Sequence, residues 1–326
     1  MNTDGEQIMR IIGEANVVAI SGHINPDGDA VGACCAMARC AAKMWKSVFV
    51  LLHDYSEIFD CIPGQEFRFT GDFNAICPDV FLSLDCGSKE RLGKYAAVFD
   101  KSAVTINIDH HMSNDRFAQY NLIDESASST CQILFTLISM YVPIDDETAA
   151  ALYAGIVYDT GGFRHSCTSP KTHEIAAMLL GINFNHSDIY NQLMHIRSFK
   201  EARCFGAALL NVRLNGDGTI AYGSLSGEEL ESYGATGKDL EGIVEYMLGI
   251  RGVEAAVFAY ATDAGVCKLS FRSVEIDVGT IAKNMGGGGH RFASGCNVEN
   301  DVDAALESAV NAVNASLNDH RRHKRQ

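Results

Sequence analysis

Short apolar runs alternate with helical segments through the first half of the chain. The runs at residues 17–20, 48–52, 80–84 and 104–108 have the length and composition of buried strands. The segments between them have helical periodicity or loop character, and strands that alternate with helices form parallel sheets. The pattern therefore predicts an α/β fold whose first half is a parallel sheet, with functional sites beyond the carboxyl ends of its strands.

A polar stretch without clear periodicity separates this half from the rest of the chain. We predict a first domain over residues 1–185, a linker over 186–199 and a smaller α/β domain over 200–318. The turn sequence Asn215-Gly216-Asp217-Gly218 predicts a hairpin in the second domain, with further strands near 253–260 and 266–271 and a closing helix at 302–317. The basic residues within 319–326 predict a solvated, disordered tail, with weak contact to anionic substrates as the alternative.

Composition and charge narrow the class of protein. A chain of 326 residues with 47% hydrophobic content can form two ordinary domains with full cores. Its apolar runs are too short to cross a bilayer, so we expect a cytoplasmic protein that does not bind membranes. The 11 cysteines are scattered, as expected of free thiols in a reducing compartment. The net charge of -15 argues against a general binder of long DNA or RNA, whereas a short anionic substrate is compatible with bound metal ions.

Acidic and imidazole side chains recur where the predicted elements end. They occur in His23-Ile24-Asn25-Pro26-Asp27-Gly28-Asp29, at Asp85, in Asp109-His110-His111 and at Asp159. Such ligands suit Mn²⁺-like ions, and two ions roughly 3.5–4 Å apart can clamp a phosphate. Taken singly, an Asn-Pro-Asp-Gly sequence is usually a turn, and an aspartate at a strand end usually caps a helix. Their recurrence at successive element ends favours metal binding.

These motifs, together with the segment from Gly155 to Gly161, resemble the four motifs of the DHH phosphoesterases in order and approximate spacing. The resemblance implies a pair of Mn²⁺ ions and a bridging hydroxide that attacks the phosphorus. The implied ligands are His23 and Asp27 on one ion, Asp29, His110 and Asp159 on the other, and Asp85 between them.

The same resemblance implies two catalytic residues. Asp109 would orient the adjacent histidine, with a strand-end cap as its alternative role, and His111 would contact the substrate phosphate or help the leaving oxygen depart. The chain departs from the family at Gly162, where a bulkier residue is common.

A glycine run near the C-terminus supplies a second candidate site. Ser270-Phe271-Arg272-Ser273 precedes Gly286-Gly287-Gly288-Gly289-His290. Glycine N–H groups can approach an anion closely, and an arginine can bind phosphate as a bidentate fork, although a glycine run alone is more often a flexible turn. The combination resembles the DHHA1 domain over roughly residues 200–320. It implies that the substrate is held by Arg272, Ser273, Gly287, Gly288, Gly289 and His290.

Together the two halves are most similar to the NrnA-type nano-RNases of this family. That similarity implies Mn²⁺-dependent exonucleolytic hydrolysis of very short single-stranded RNA to mononucleotides, and of 3′-phosphoadenosine 5′-phosphate to AMP and phosphate, in an active-site cleft between the domains. Two alternatives stay open. The chain could act mainly on linear dinucleotides such as pApA from cyclic-di-AMP turnover, or could be a nucleotide-binding regulator without catalysis. The sequence also leaves a homodimer open.

Overall fold

The computed structural model describes residues 4–262 and 266–324, which belong to two compact units, Met1–Ile196 and Arg197–Gln326. Within these residues no helix combines the length and the apolar character that a membrane span needs. All 11 cysteines of the chain have free thiols, as predicted.

The first unit contains seven α-helices and five strands among its described residues. In chain order they are α1 (Gly5–Glu14), β1 (Val17–Ser21), α2 (Gly28–Lys43), β2 (Ser47–Leu51), β3 (Val80–Leu84), α3 (Ala96–Lys101), β4 (Val104–Asp109), β5 (Tyr120–Ile123), α4 (Thr130–Ser139), α5 (Asp146–Asp159), α6 (Pro170–Leu180) and α7 (His186–Met194).

The second unit contains five α-helices and six strands among its described residues. They are α8 (Phe199–Leu210), β6 (Arg213–Leu214), β7 (Ile220–Leu225), α9 (Gly227–Tyr233), α10 (Ile243–Leu248), β8 (Ala255–Ala261), β9 (Cys267–Ser273), α11 (Val278–Asn284), β10 (Gly288–His290), β11 (Ala293–Val298) and α12 (Val302–Lys324).

The sheet of the first unit is parallel throughout, with strand order β2-β1-β3-β4-β5. The four predicted strands are confirmed, and every residue of β3 is buried, as is usual where helices cover both faces of a parallel sheet. Small residues let α2 pack closely on α5, because a side chain on Gly32 would lie 2.5 Å from the carbonyl oxygen of Ala151. This close packing supports the first turn of α2 and the last turn of α5, which both carry predicted metal ligands.

The second unit contains a mixed sheet with strand order β10-β11-β9-β8-β7-β6, in which β7 and β8 are parallel and the other pairs antiparallel. The predicted hairpin joins β6 to β7, and the Asn215 side chain accepts hydrogen bonds from the backbone N–H groups of Thr219 and Ile220, both at 2.9 Å. One face of the sheet packs on α11 and α12, where Leu269 and Phe271 are buried with Val313. The other face packs on α8 and α10 through Phe258 of β8.

Two predicted irregular segments are helical. Most of the predicted linker forms α7, which is capped by Asn185 and buries Ile189 and Leu193. The prediction of a disordered tail is wrong as far as Lys324, because α12 continues to that residue. Arg321 there contacts Asp217 at 2.9 Å and Glu254 at 2.8 Å, and cations are favourable at the C-terminal end of a helix. Residues 325–326 of the predicted tail lie outside the described residues.

Candidate metal centre

The six predicted metal ligands converge at the carboxyl edge of the parallel sheet. His23, Asp85 and His110 follow the neighbouring strands β1, β3 and β4, whose ends are aligned by the parallel pairing. The remaining ligands belong to helix ends: Asp27 caps the start of α2, Asp29 lies in its first turn and Asp159 is the last residue of α5. Parallel strands with helical crossovers deliver distant segments to one edge, as the sequence predicts.

The donor atoms form two groups on either side of Asp85. His23 Nε2 lies 3.7 Å from Asp27 Oδ2 and 3.6 Å from Asp85 Oδ2. His110 Nε2 lies 3.6 Å from Asp85 Oδ1 and 3.1 Å from Asp159 Oδ2. Ligand atoms of Asp29, His110 and Asp159 lie within 4.8 Å of one another. Asp85 therefore presents a different oxygen to each group, so its carboxylate would be shared if a cation bound in each group.

The electrostatics of this site fit divalent cations. Burial and the neighbouring Asp85 charge raise the pKa of Asp29 to about 7, and burial and the Asp29 charge raise the pKa of Asp159 well above its ordinary value. Crowded, buried carboxylates of this kind need positive charge close by. Asp85 has a backbone φ of +52°, a conformation that non-glycine residues rarely adopt and that clusters at functional sites. Carboxylate oxygens and imidazole nitrogens are also the donors that Mn²⁺-like ions accept.

Helix α4 fixes the buried carboxylates from behind. The backbone N–H groups of Thr130 and Cys131 donate to Asp29 at 2.6 and 2.9 Å, as expected of a carboxylate at a helix N-terminus. The Thr130 hydroxyl donates to Asp85 Oδ1 at 3.1 Å. Asp27 accepts bonds from the backbone of its own helix, at 3.0 Å from Asp29 N and 3.1 Å from Ala30 N. The carboxylate geometry is therefore set by protein hydrogen bonds.

Asp109 and His111 form a hydrogen-bonded pair beside these ligands. His111 Nδ1 lies 2.7 Å from Asp109 Oδ1, and Asn114 Nδ2 donates to Asp109 Oδ2 at 2.6 Å. Burial alone would raise the pKa of Asp109, but the bonds from His111 and Asn114 hold it below its ordinary value. The bond to Asp109 in turn raises the pKa of His111. An ionised carboxylate thus fixes the ring of His111 through Nδ1. The resemblance implies this role of Asp109 toward the adjacent His110, whose Nδ1 instead lies 3.4 Å from the carbonyl oxygen of Ala127.

The glycine run of the second unit is only partly a loop. Gly288–His290 form the edge strand β10, which pairs with β11. Gly286 and Gly289 have φ values of +83° and +140°, and a side chain on Gly287 would lie 2.2 Å from the carbonyl oxygen of Gly295. The run therefore needs glycine to form a turn and then an edge strand in close contact with β11.

Arg272 and Ser273 lie on opposite faces of this sheet. Pairing between strands places His290, Ala293 and Arg272 side by side on β10, β11 and β9. Ser273 is buried, and its hydroxyl accepts bonds from the backbone N–H groups of Glu275 and Ile276. Its side chain faces away from that of Arg272, because successive residues of a strand point to opposite faces, and the substrate contact of Ser273 stays a prediction.

Comparison with known proteins identifies both halves. Residues 17–156 match the N-terminal domain of the DHH family, and residues 217–319 match the DHHA1 domain. The chain belongs to the DHH phosphoesterases. It is similar to the bifunctional oligoribonuclease and PAP phosphatase NrnA of Thermus thermophilus, at 29% identity over 321 residues that cover 95% of this chain and 94% of that protein. The protein of the same name from Bacillus subtilis is 25% identical over 304 residues, covering 90% and 92% of the two chains.

A solved structure agrees over nearly the whole chain. The crystal structure of an exopolyphosphatase-related protein from Bacteroides fragilis gives a TM-score of 0.87 at 25% sequence identity and covers 99% of this chain and 97% of that one. This DHH phosphoesterase therefore has an α/β fold in both units, with a five-stranded parallel sheet in the DHH unit.

The departure from the DHH pattern at Gly162 has a steric explanation. Gly161, Gly162 and Phe163 follow Asp159 closely and have φ values of +57°, +68° and +68°. A side chain on Gly162 would lie 2.5 Å from the hydroxyl oxygen of Tyr190 in α7. Tyr190 therefore occupies the space that a bulkier residue would need, and the loop is held by packing.

Two supporting residues of the DHH site are absent from the sequence-based prediction. Thr130 follows Ser128 and Ser129 before an apolar run, which signals a helix start but not contact with Asp29 and Asp85. Asn114 lies in the loop after the Asp109 motif and also donates to Asn107 Oδ1 at 2.8 Å. A single polar residue in a loop gives no sequence signal for such a role.

Proposed function

We propose that this DHH phosphoesterase hydrolyses very short oligoribonucleotides, releasing mononucleotides, and converts 3′-phosphoadenosine 5′-phosphate to AMP and phosphate. The observation that carries the proposal is the position of Asp85 between two donor groups, with Oδ2 3.6 Å from His23 Nε2 and Oδ1 3.6 Å from His110 Nε2. The names of the Thermus thermophilus and Bacillus subtilis relatives support the choice of substrates.

The proposed cofactor is a pair of Mn²⁺ ions in each active site. His23, Asp27 and Asp85 would hold one ion, and Asp29, Asp85, His110 and Asp159 the other. When bound, such ions stabilise negative charge on phosphoryl oxygens and lower the pKa of water. The hydrogen bonds from Thr130 and Cys131 would keep Asp29 and Asp85 in position during the reaction.

His111 would act on the leaving group. Its Nδ1 is bonded to the buried Asp109, so the ring can carry a second proton at Nε2 while Asp109 compensates the charge. Nε2 would then donate a hydrogen bond to a phosphoryl oxygen or transfer its proton to the departing oxygen. Arg272 and His290, together with the backbone of Gly287, Gly288 and Gly289, would bind a phosphate that does not react.

A product time course tests this proposal. The wild-type protein with Mn²⁺ should release mononucleotides from end-labelled RNAs of two to five nucleotides and phosphate from 3′-phosphoadenosine 5′-phosphate, with much slower cleavage of a 24-nucleotide RNA. Parallel rates on pApA measure the dinucleotide alternative, which a strong preference for pApA would favour. Metal-bound, folded protein that releases no product from any of these substrates would contradict the proposal and favour a regulator.

A further inference from the structure

The sheet face that carries Arg272 is polar where strands β9, β10 and β11 meet. Lys268, Ser270 and Arg272 alternate along β9 with the buried residues Leu269 and Phe271. The buried residues pack on α11 and α12, so the alternating polar residues lie on the opposite face. Gly295 and Asn297 of β11 lie opposite Ser270 and Lys268 on this polar face. The surface beside Arg272 therefore combines cationic, hydroxyl and amide groups with a flat glycine.

Lys268 leans across this face toward Arg272. Its direct partner on β11 is Asn297, yet a side chain on Gly295, the residue opposite Ser270, would lie 3.7 Å from Lys268 Cε. The Lys268 side chain therefore extends toward the cross-strand pair Ser270 and Gly295. The next cross-strand pair on this face is Arg272 and Ala293. Neighbouring pairs on one face of a sheet are roughly 6.6 Å apart. The absence of a side chain at Gly295 leaves room for this path.

The two cations differ in their partners. Arg272 is paired with Glu245 of α10 and also donates from Nη1 to the carbonyl oxygen of Phe271 at 3.0 Å. Lys268 has no ion-pair partner among residues 4–262 and 266–324 and is only partly buried. A lysine that lies against a polar sheet face, with no anionic partner among the described residues, is available to an anionic ligand.

We infer that Lys268 binds a third phosphate of the substrate and thereby determines a preference for chain length. The inference rests on the proposed function, in which one phosphate reacts at the metal centre and Arg272 binds a second. 3′-Phosphoadenosine 5′-phosphate and pApA each contain two phosphates, so they leave Lys268 without a partner. The 5′-phosphorylated trinucleotide pApApA contains three, and its additional phosphate contacts the lysine.

Steady-state kinetics on these three substrates test the role of Lys268. Lys268→Gln should lower kcat/KM for pApApA about five- to tenfold through KM, as expected for one partly exposed charge-assisted contact, and leave both two-phosphate substrates within twofold of wild type. The dependence of log(kcat/KM) on log[salt] for pApApA should become shallower by about 0.7. Lys268→Arg should restore most of the loss. Lys283→Gln is the matched control, because Lys283 is an exposed lysine of α11, which packs on the opposite face.

The outcomes separate this inference from the proposed function. If wild type hydrolyses all three substrates but Lys268→Gln changes none of them, Lys268 contacts no phosphate and the inference is wrong. An equal loss on all three would also overturn it, since that result indicates a general structural role. If wild-type protein with bound Mn²⁺ hydrolyses none of the three substrates, it is the proposed function that fails.

Discussion

The two candidate sites of this phosphoesterase differ in how firmly the protein holds their charged groups. At the metal centre, Asp29 and Asp85 are buried and receive hydrogen bonds from helix α4. On the sheet of the second unit, Arg272 is partly exposed and paired with the exposed Glu245. Fixed side chains suit a reaction whose geometry must be exact to a fraction of an ångström. A charged side chain that can exchange its protein partner for a ligand suits binding of different nucleotides. Substitutions at the first site should therefore change turnover, and those at the second should change substrate affinity.

The largest effect is expected at Asp85, which faces both donor groups. Asp85→Asn keeps the shape of the side chain but removes the charge and one acceptor that the two cations would share. We expect kcat to fall by about a thousandfold or more and bound metal to decrease. Activity assays with elemental analysis of the purified variant measure both. Asp100→Asn, at an exposed residue paired with Lys89, is the control and should retain normal rates. Normal turnover of Asp85→Asn with two bound metals would contradict the mechanism.

Asp109→Asn should have the next largest effect. The amide cannot stabilise a doubly protonated His111, so kcat should fall by about a hundred- to a thousandfold while metal content stays constant. The pKa of His111, which the bond to Asp109 raises, should fall toward its ordinary value in an NMR titration of the variant. Loss of metal from this variant would instead show that Asp109 acts mainly on the metal ligands.

Metal affinity should depend strongly on pH, because several ligands bind protons in the metal-free protein. Burial lowers the pKa of His23, but its contacts with Asp27 and Asp85 outweigh that effect and raise it to about 9. The carboxylates around His110 likewise outweigh burial and raise its pKa to about 10. Both imidazoles must lose a proton to bind metal, so affinity should increase from pH 6 to 8, by about tenfold per unit for each proton released.

Calorimetry in buffers of different ionisation enthalpy counts these protons directly. Titration of Mn²⁺ at pH 7 should release more than one proton, and Asp29, with a pKa of about 7, should add a fraction. Binding without proton release would show that the metal-free site is already deprotonated. That result would contradict the raised pKa values of His23 and His110, which follow from the fixed carboxylates around them.

The sequence predicts the parts of this molecule that depend on local periodicity. Strands β1 to β4 are continuous apolar runs, and each predicted metal ligand lies just after a strand or at one end of a helix, so both features are visible in the sequence. Strand β5 is only four residues long and includes Asn121, which hides it among loop residues. Helix α12 extends past its last buried residue, Leu317, because Arg321 contacts acids more than 60 residues away. Contacts between distant segments give no periodic signal.

The same limit applies within the candidate sites. Thr130 contacts Asp29 across 101 residues, and only the folded chain reveals that pair. Ser273 is a different case, since the alternation of β9 was sufficient to predict that Arg272 and Ser273 face opposite sides. The resemblance to the DHHA1 domain implies that both residues hold the substrate, although they are adjacent residues of one strand.

The smallest effects are expected for substitutions on the sheet of the second unit, where other charged or polar groups can replace a lost ion-pair partner. Arg272→Gln should raise KM for 3′-phosphoadenosine 5′-phosphate about tenfold and leave kcat within twofold, because in the proposed function the residue binds a phosphate that does not react. Glu245→Gln removes the carboxylate that competes with this phosphate for the guanidinium, so KM should fall about twofold. A higher KM for Arg272→Gln and a lower KM for Glu245→Gln, both at constant kcat, would support a binding site in which Glu245 and the phosphate compete for Arg272. A fall in kcat for both variants would mean that Arg272 and Glu245 are held as firmly as the metal ligands.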